Sequence, residues 1–172
     1  MKKDKKALVA YAAGIVDGEG SIYLARKYYR DLHRVFYTPR ITVGNANGKI
    51  VDLLYGLFGG AIRLRTEITG RSYFVWEISC AKAKTAAKMM LPFLRAKKKQ
   101  AELLIRFQDR VEVGKKKYAG KTGKYFSRIP DRELQKRAKL YEQMKEFNQL
   151  QLIKPRAGLT TKQAERLKGR KR

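Results

Sequence analysis

The apolar positions change period repeatedly along the chain, and each change marks an element. From Ala7 to Asp17, Leu8, Tyr11, Ala12 and Ile15 recur at the spacing of one helix face, bulky enough to pack on the core, while Ala10, Ala13, Gly14 and Asp17 share a second, nearly bare face. After Gly20 the period drops to two. Ser21 to Tyr29 sets Ile22 and Leu24 against Tyr23, Ala25 and Lys27, which predicts a strand. Tyr28 to Arg34 is a polar turn region, and Phe36 to Val43 returns with Ile41 and Val43 opposite Thr38, Arg40 and Thr42; Pro39 there predicts an edge or a bulge. Asn45-Ala46-Asn47-Gly48 punctuates the chain before a core helix from Lys49 to Phe58, closed by Gly59-Gly60. A second strand pair follows. Ala61 to Thr69 puts Ile62, Leu64 and Ile68 on one side and Arg63, Arg65 and Glu67 on the other; Tyr73 to Ser79 puts Phe74, Trp76 and Ile78 inward and Tyr73, Val75 and Glu77 outward. Lys82 to Leu91 reads as a helix that Pro92 interrupts, and Leu94 onward as another carrying Ala101, Leu104, Ile105 and Val111 on one side.

The order is helix, two strands, helix, two strands, two helices: an α/β (α+β) chain of αββαββα type with a helical extension. Residues 1–113 form the core module. Residues 114–129, rich in Gly, Lys and Tyr and without periodicity, read as a mobile basic loop. Residues 130–172 form an extension, with a helix from Pro130 and Asp131 to about Gln151 and a basic tail from Lys154. Two apolar stripes overlap on that helix, so its packing face is open. Ala157-Gly158-Leu159 echoes the small residues near the start, but no acids follow, and there is no second copy of the opening helix.

Composition narrows the function. The 172 residues are 44% hydrophobic, enough for a normal core. Lys and Arg number 41 against 15 acids, a formal charge of +26, and the aromatic content argues for a folded basic protein rather than a disordered tail. Nucleic acid is the partner that best offsets such a charge; an anionic membrane surface fits less well. The chain holds no apolar run fit to span a bilayer and opens without a signal-peptide pattern, so an intracellular location, cytoplasmic or organellar, is expected and no membrane partner. One cysteine and one histidine leave no internal disulfide, no Cys-rich zinc site and no Ser-His-Asp centre. Any metal must be held by oxygen.

The candidate chemistry lies where the first helix ends, at Asp17-Gly18-Glu19-Gly20. The glycines free the chain to turn, and Glu19 projects a carboxylate. The small face of Ala10, Ala13, Gly14 and Asp17 packs either on a second copy of the same helix or on another helix of the same chain; spacing alone leaves both open. With a second copy, two Glu19 carboxylates meet near the twofold axis, and a hard cation such as Mg²⁺ suits the space between them. Asp17 by itself reads as a structural acid at the helix end.

Ala12 to Gly20 resembles the nine-residue signature of the LAGLIDADG homing endonucleases, with Gly14, Asp17 and Gly20 as in that family and Glu19 at its acidic position. The run Pro92 to Ala101 is also similar to the family, so the resemblance covers roughly residues 7 to 113. It implies a saddle-shaped antiparallel sheet, a homodimer joined through the first helix, and magnesium-dependent cleavage of a long pseudo-palindromic DNA site with short 3′ overhangs. It further implies Glu19 as metal ligand assisted by the Gly18 carbonyl, and Lys97 as the basic residue near the scissile phosphates. Asn45 is the candidate for orienting the attacking water, although Asn45 or Asn47 can equally be a turn residue.

Tyr23, Lys27, Arg40, Thr42, Arg63, Arg65, Tyr73 and Glu77 recur at alternate positions of the four strands and would form one polar surface fit for a major groove. Lys116, with Lys115, Lys117, Lys121 and Lys124, is expected to neutralise phosphates. A splicing cofactor that binds RNA, or a DNA-binding regulator without cleavage, is the alternative function.

Overall fold

A computed structural model of the chain describes residues 3–118 and 128–150. Helix α1 (Lys3–Glu19) leads into strands β1 (Gly20–Tyr29) and β2 (Arg34–Asn45), joined through a 3-10 turn at Arg30–Leu32. Helix α2 (Gly48–Phe58), strands β3 (Ala61–Thr66) and β4 (Ser72–Ser79), and helices α3 (Cys80–Met90), α4 (Lys98–Tyr118) and α5 (Asp131–Leu150) follow. The α/β order expected from periodicity is therefore observed. The four strands form one antiparallel sheet in the order β1-β2-β4-β3, so the two hairpins meet along β2 and β4.

Alternation and register together build the core. Ile22, Ile41 and Ile78 lie side by side across three strands, as do Gly20, Val43, Trp76 and Ile62 across four. The helices cover this face, and Val51, Leu54, Leu94, Ala101, Leu104 and Phe107 complete the buried cluster. Pro39 marks neither an edge nor a bulge: β2 is a central strand in regular register with β1, and Pro39, opposite Leu24, lies one residue beyond the end of the β2–β4 ladder. At the other end of the hairpins, Asn47 caps α2 by accepting Lys49 N–H at 3.1 Å. Gly59 and Gly60 end α2 with φ of +70° and +105°, and the Gly59 carbonyl accepts the Trp76 indole at 2.8 Å. A Cβ on Gly60 would stand 2.5 Å from the Glu77 carbonyl oxygen, so only glycine lets the chain cross there.

Helix α1 buries a different face from the one its bulkiest side chains mark. Val9, Ala12, Ala13 and Val16, at i, i+3, i+4 and i+7, are completely buried, whereas Leu8 and Tyr11 are 43% and 56% exposed. Leu8 and Tyr11 therefore do not attach α1 to the core, and Ala13 is no part of an open seam. The helix packs on β1, β2 and α3, and α3 presents its own small side chains, Ala83, Ala86 and Ala87, to the same cluster. Two short-side-chained faces lie close together, and the larger residues are left outside. Gly20 tightens the turn into β1: a Cβ there would meet the Val16 carbonyl oxygen at 2.8 Å and the Thr42 oxygen at 3.2 Å.

The C-terminal part departs from the periodicity. Residues 114–118, expected to open a loop, continue α4 for another turn. Gly114 is buried within the helix, Lys115, Lys116 and Lys117 sit at its negative carbonyl end, and Tyr118 packs on Phe36 and Ile129. On α5, Met144 faces the core with Tyr141 and Phe147, while Arg137 is buried and paired with Glu133 at 3.0 Å. A paired arginine on the inward stripe is why apolar spacing alone left that helix ambiguous. Lys121 and Lys124, and the tail from Lys154, lie outside the described residues. None of the described helices is long and apolar enough to cross a membrane.

Candidate active site and nucleic-acid interface

Two carboxylates two residues apart at the end of α1 have different surroundings. Asp17 points into the chain. Its carboxylate accepts the main-chain N–H groups of Arg95 at 2.6 Å, Ala96 at 3.2 Å and Lys97 at 2.9 Å. These three residues form the bend that leads into α4, which begins at Lys98, and Ala101 N–H bonds back to the Lys97 carbonyl. A helix start leaves such donors without intrahelical partners, and an anion there also meets the positive end of the helix dipole. Asp17 thus holds the entry to α4 from a distant segment, so its carboxylate is engaged within the chain. Lys97 closes the link by donating its ammonium to the Asp17 carbonyl. The Lys97 ammonium is partly buried, and that burial holds its pKa below the ordinary lysine value against the attraction of Asp17. Lys98 and Lys99 are exposed.

Glu19 is exposed, and its carboxylate accepts a hydrogen bond from the Asn45 side-chain amide. The Asn45 carbonyl oxygen in turn accepts the Asn47 N–H at 2.8 Å, fixing which end of the amide meets Glu19. The structure therefore brings Glu19 and Asn45 together and anchors Lys97 to the same helix terminus. Asn45 is both the turn residue and the neighbour of the acid.

Among the described residues no three His, Cys, Asp or Glu side chains cluster to hold a metal. One copy of the chain contributes Glu19 as the exposed acid, with the Gly18 carbonyl beside it in sequence. That oxygen donor set suits a hard cation that keeps several of its waters.

The outer side of α1 carries the exposed Leu8, Tyr11, Gly14 and Gly18, with Ala10 half-buried at its margin. A Cβ on Gly14 or on Gly18 would meet nothing within 4 Å, so these two glycines, one turn apart, present bare backbone. The open stripe thus keeps Gly14 from the sequence expectation, loses Ala13 and Asp17, and gains Gly18, Leu8 and Tyr11. Exposure is decided by what the opposite face packs against, which spacing does not report.

Register puts all eight expected sheet residues on one face. Tyr23 pairs with Arg40, Thr42 with Glu77, and Arg65 with Tyr73, while Arg63 lies opposite Val75 and Lys27 opposite Phe36. Ser21, Thr38 and Ser79 stand on the same face and complete it; the same alternation could have found them. Lys27, Arg63 and Arg65 are exposed, and the Lys27 ammonium sits 4.8 Å from the Tyr29 ring centre. Arg40 instead donates from Nη1 to the Glu77 carboxylate at 2.8 Å. Lys116 is exposed on the last turn of α4 rather than on a strand.

Neither a family model nor a curated protein sequence matches the chain. Solved structures do. The homing endonuclease I-CvuI, in complex with its target in the presence of calcium, aligns with a TM-score of 0.67 over 96% of both chains at 20% identity. The archaeal intron-encoded homing endonuclease I-Vdi141I, complexed with DNA, aligns with a TM-score of 0.63 over 94% of this chain and 90% of that one, at 15% identity. The LAGLIDADG homing endonuclease I-GzeII, in complex with a DNA target, aligns at 0.54 over 77% of this chain but only 43% of its own length, at 13% identity. The fold is that of the LAGLIDADG homing endonucleases.

Proposed function

We propose that the protein is a site-specific DNA endonuclease that acts as a homodimer, each copy reading half of a long pseudo-palindromic duplex site. The observation that carries this reading is the single exposed acid at the end of α1, Glu19, held by Asn45 and standing beside a helix face of bare glycine backbone. One copy supplies half of a metal site; a twin helix packed along Gly14 and Gly18 supplies the other half. The fold shared over 96% of I-CvuI, a homing endonuclease solved in complex with its target, supports the DNA-binding part of this reading.

Each copy's Glu19, with the Gly18 carbonyl, would hold Mg²⁺, which supplies water activation and stabilises the leaving oxygen of the phosphodiester. Asn45 keeps the Glu19 carboxylate in one orientation and lies near enough to order an attacking water. Lys97 adds a positive charge near the scissile phosphate, and its carbonyl anchor limits where that charge can sit. Tyr23, Lys27, Arg40, Thr42, Arg63, Arg65, Tyr73 and Glu77 face the major groove, and Lys116 contacts backbone phosphate without reading sequence.

Incubation with a random duplex library in Mg²⁺, followed by recovery of cut ends, tests the reading. The expected product is a symmetric site cut on both strands with 3′ overhangs, and no product from Glu19→Gln. Wild type that cuts nothing in Mg²⁺ or Mn²⁺ and binds duplex DNA without sequence preference sinks the proposal; tight, selective RNA binding in the same assay would replace it with the splicing-cofactor function.

A further inference from the structure

An acid on a surface meant for a polyanion needs a reason. Glu77 lies on the outward sheet face beside Thr42, only 18% exposed, and its carboxylate is engaged by Arg40. Arg40 stands on β2 between Tyr23 and Ser79, one register step along from the Thr42–Glu77 pair, so the ion pair crosses diagonally between neighbouring strands. The other outward cations of the sheet, Lys27, Arg63 and Arg65, are more exposed. The Arg40 side chain is 35% exposed, its Nη1 is given to Glu77, and its Nε is buried without a hydrogen-bond partner. A buried unpaired donor is costly, so a guanidinium held in that way is being kept in one place by something else.

We infer that Glu77 is a positioning residue that locks Arg40 into the orientation in which it reads one guanine per half-site. The inference rests on the DNA-binding function proposed above. A guanidinium carries five donors; with one spent on Glu77 and Nε shut away, hydrogens on Nη1 and Nη2 remain for the O6 and N7 acceptors of guanine, the pairing that arginine makes best in the major groove. A free arginine can swing among neighbouring bases and phosphates, whereas a tethered one meets a single base edge. Glu77 itself, its carboxylate already taken, does not act as an acceptor for cytosine. Selectivity at that position is then obtained at the expense of raw attraction, because the carboxylate repels phosphate.

The opposed effects give the test. Wild type, Glu77→Gln, Arg40→Ala and the double variant are each put through selection of bound duplexes from a random library in Ca²⁺, with affinity for unrelated duplex measured alongside and thermal melting as a folding control. Wild type should show a guanine-dependent position in each half-site. Glu77→Gln should lose about tenfold of that preference while binding unrelated DNA more tightly at low salt. Arg40→Ala should lose the same position, and the double variant should lose no more than Arg40→Ala does alone. Glu77→Gln with an unaltered site profile overturns the inference, and so does a loss at a base pair different from the one Arg40→Ala affects. Wild type without any sequence preference overturns the DNA-binding function itself and is read before any variant is compared.

Discussion

The inward and outward sides of α1 each join apolar and small residues to one terminal acid, and they do opposite things. Inward, Val9, Ala12, Ala13 and Val16 are buried, and Asp17 ends the face by capping α4. Outward, Leu8 and Tyr11 stand in the open beside Gly14 and Gly18, and Glu19 ends the face with its carboxylate free on one side. Asp17 is consumed in holding the chain together; Glu19 is held in place but left available. A side chain that spends all its bonding capacity inside the fold cannot also bind a cation, so the difference in partners separates structure from chemistry at two residues of the same charge.

The contrast is most sharply broken at Glu19. Glu19→Gln keeps the shape and the Asn45 contact but removes the charge, and cleavage of a plasmid bearing the selected site should fall by at least about 10³-fold, with binding and melting temperature close to wild type. Next is the bare backbone. Gly14→Leu adds a side chain where the single chain has open space, so the subunit should fold; sedimentation should show a monomer, and linearisation should drop by about 10²-fold because neither half-site is completed. Sedimentation of the wild type as a monomer at all concentrations, even on DNA, would remove the role assigned to that face.

Asp17→Ala should act in the reverse sense. It leaves three main-chain donors in the bend before α4 without their anion, a loss of about 2–3 kcal/mol, or a fall of about 4–12 °C in melting temperature for a chain of this size. Glu19→Ala, on exposed surface, should shift melting within about 0.5 kcal/mol. If the two variants melt alike, the division between the carboxylates is wrong.

The smallest effect is in pH. Because burial lowers the Lys97 pKa, the folded chain releases this proton at lower pH than the unfolded chain does. Its contribution to folding is unfavourable while both states are protonated, and stability rises as pH climbs through the folded pKa toward the ordinary lysine value of about 10.5. Cleavage should move the other way, losing the Lys97 charge on the alkaline side sooner than an exposed lysine would. A pH–rate profile in which Lys97→Arg shifts that decline to higher pH checks both the residue and the sign.

Much of this was legible before any coordinates. Alternation along Ser21–Tyr29 and Tyr73–Ser79 already separates an isoleucine and tryptophan face from one of tyrosine, lysine, glutamate and serine, because successive side chains on a strand must point to opposite sides. Helix periodicity located α2, and the Asp-Gly-Glu-Gly string marked Glu19 as the exposed acid. These are short-range facts: spacing, pleat and the freedom of glycine act within a few residues.

Other decisions needed the whole chain. Whether α1 turns Leu8 and Tyr11 or Val9 and Val16 inward depends on α3 offering Ala83, Ala86 and Ala87 opposite it, since two overlapping stripes satisfy the same period. Asp17 becomes a cap only because residues 95–97, nearly eighty positions away, bring their N–H groups to it. Arg40 and Glu77 meet only through the β2–β4 register, and the 114–118 stretch stays helical because Tyr118 finds Phe36 and Ile129. Local sequence sets which faces exist; the shape and hydrogen-bonding needs of the surfaces facing them decide which face is buried, which acid is spent, and which is left to act.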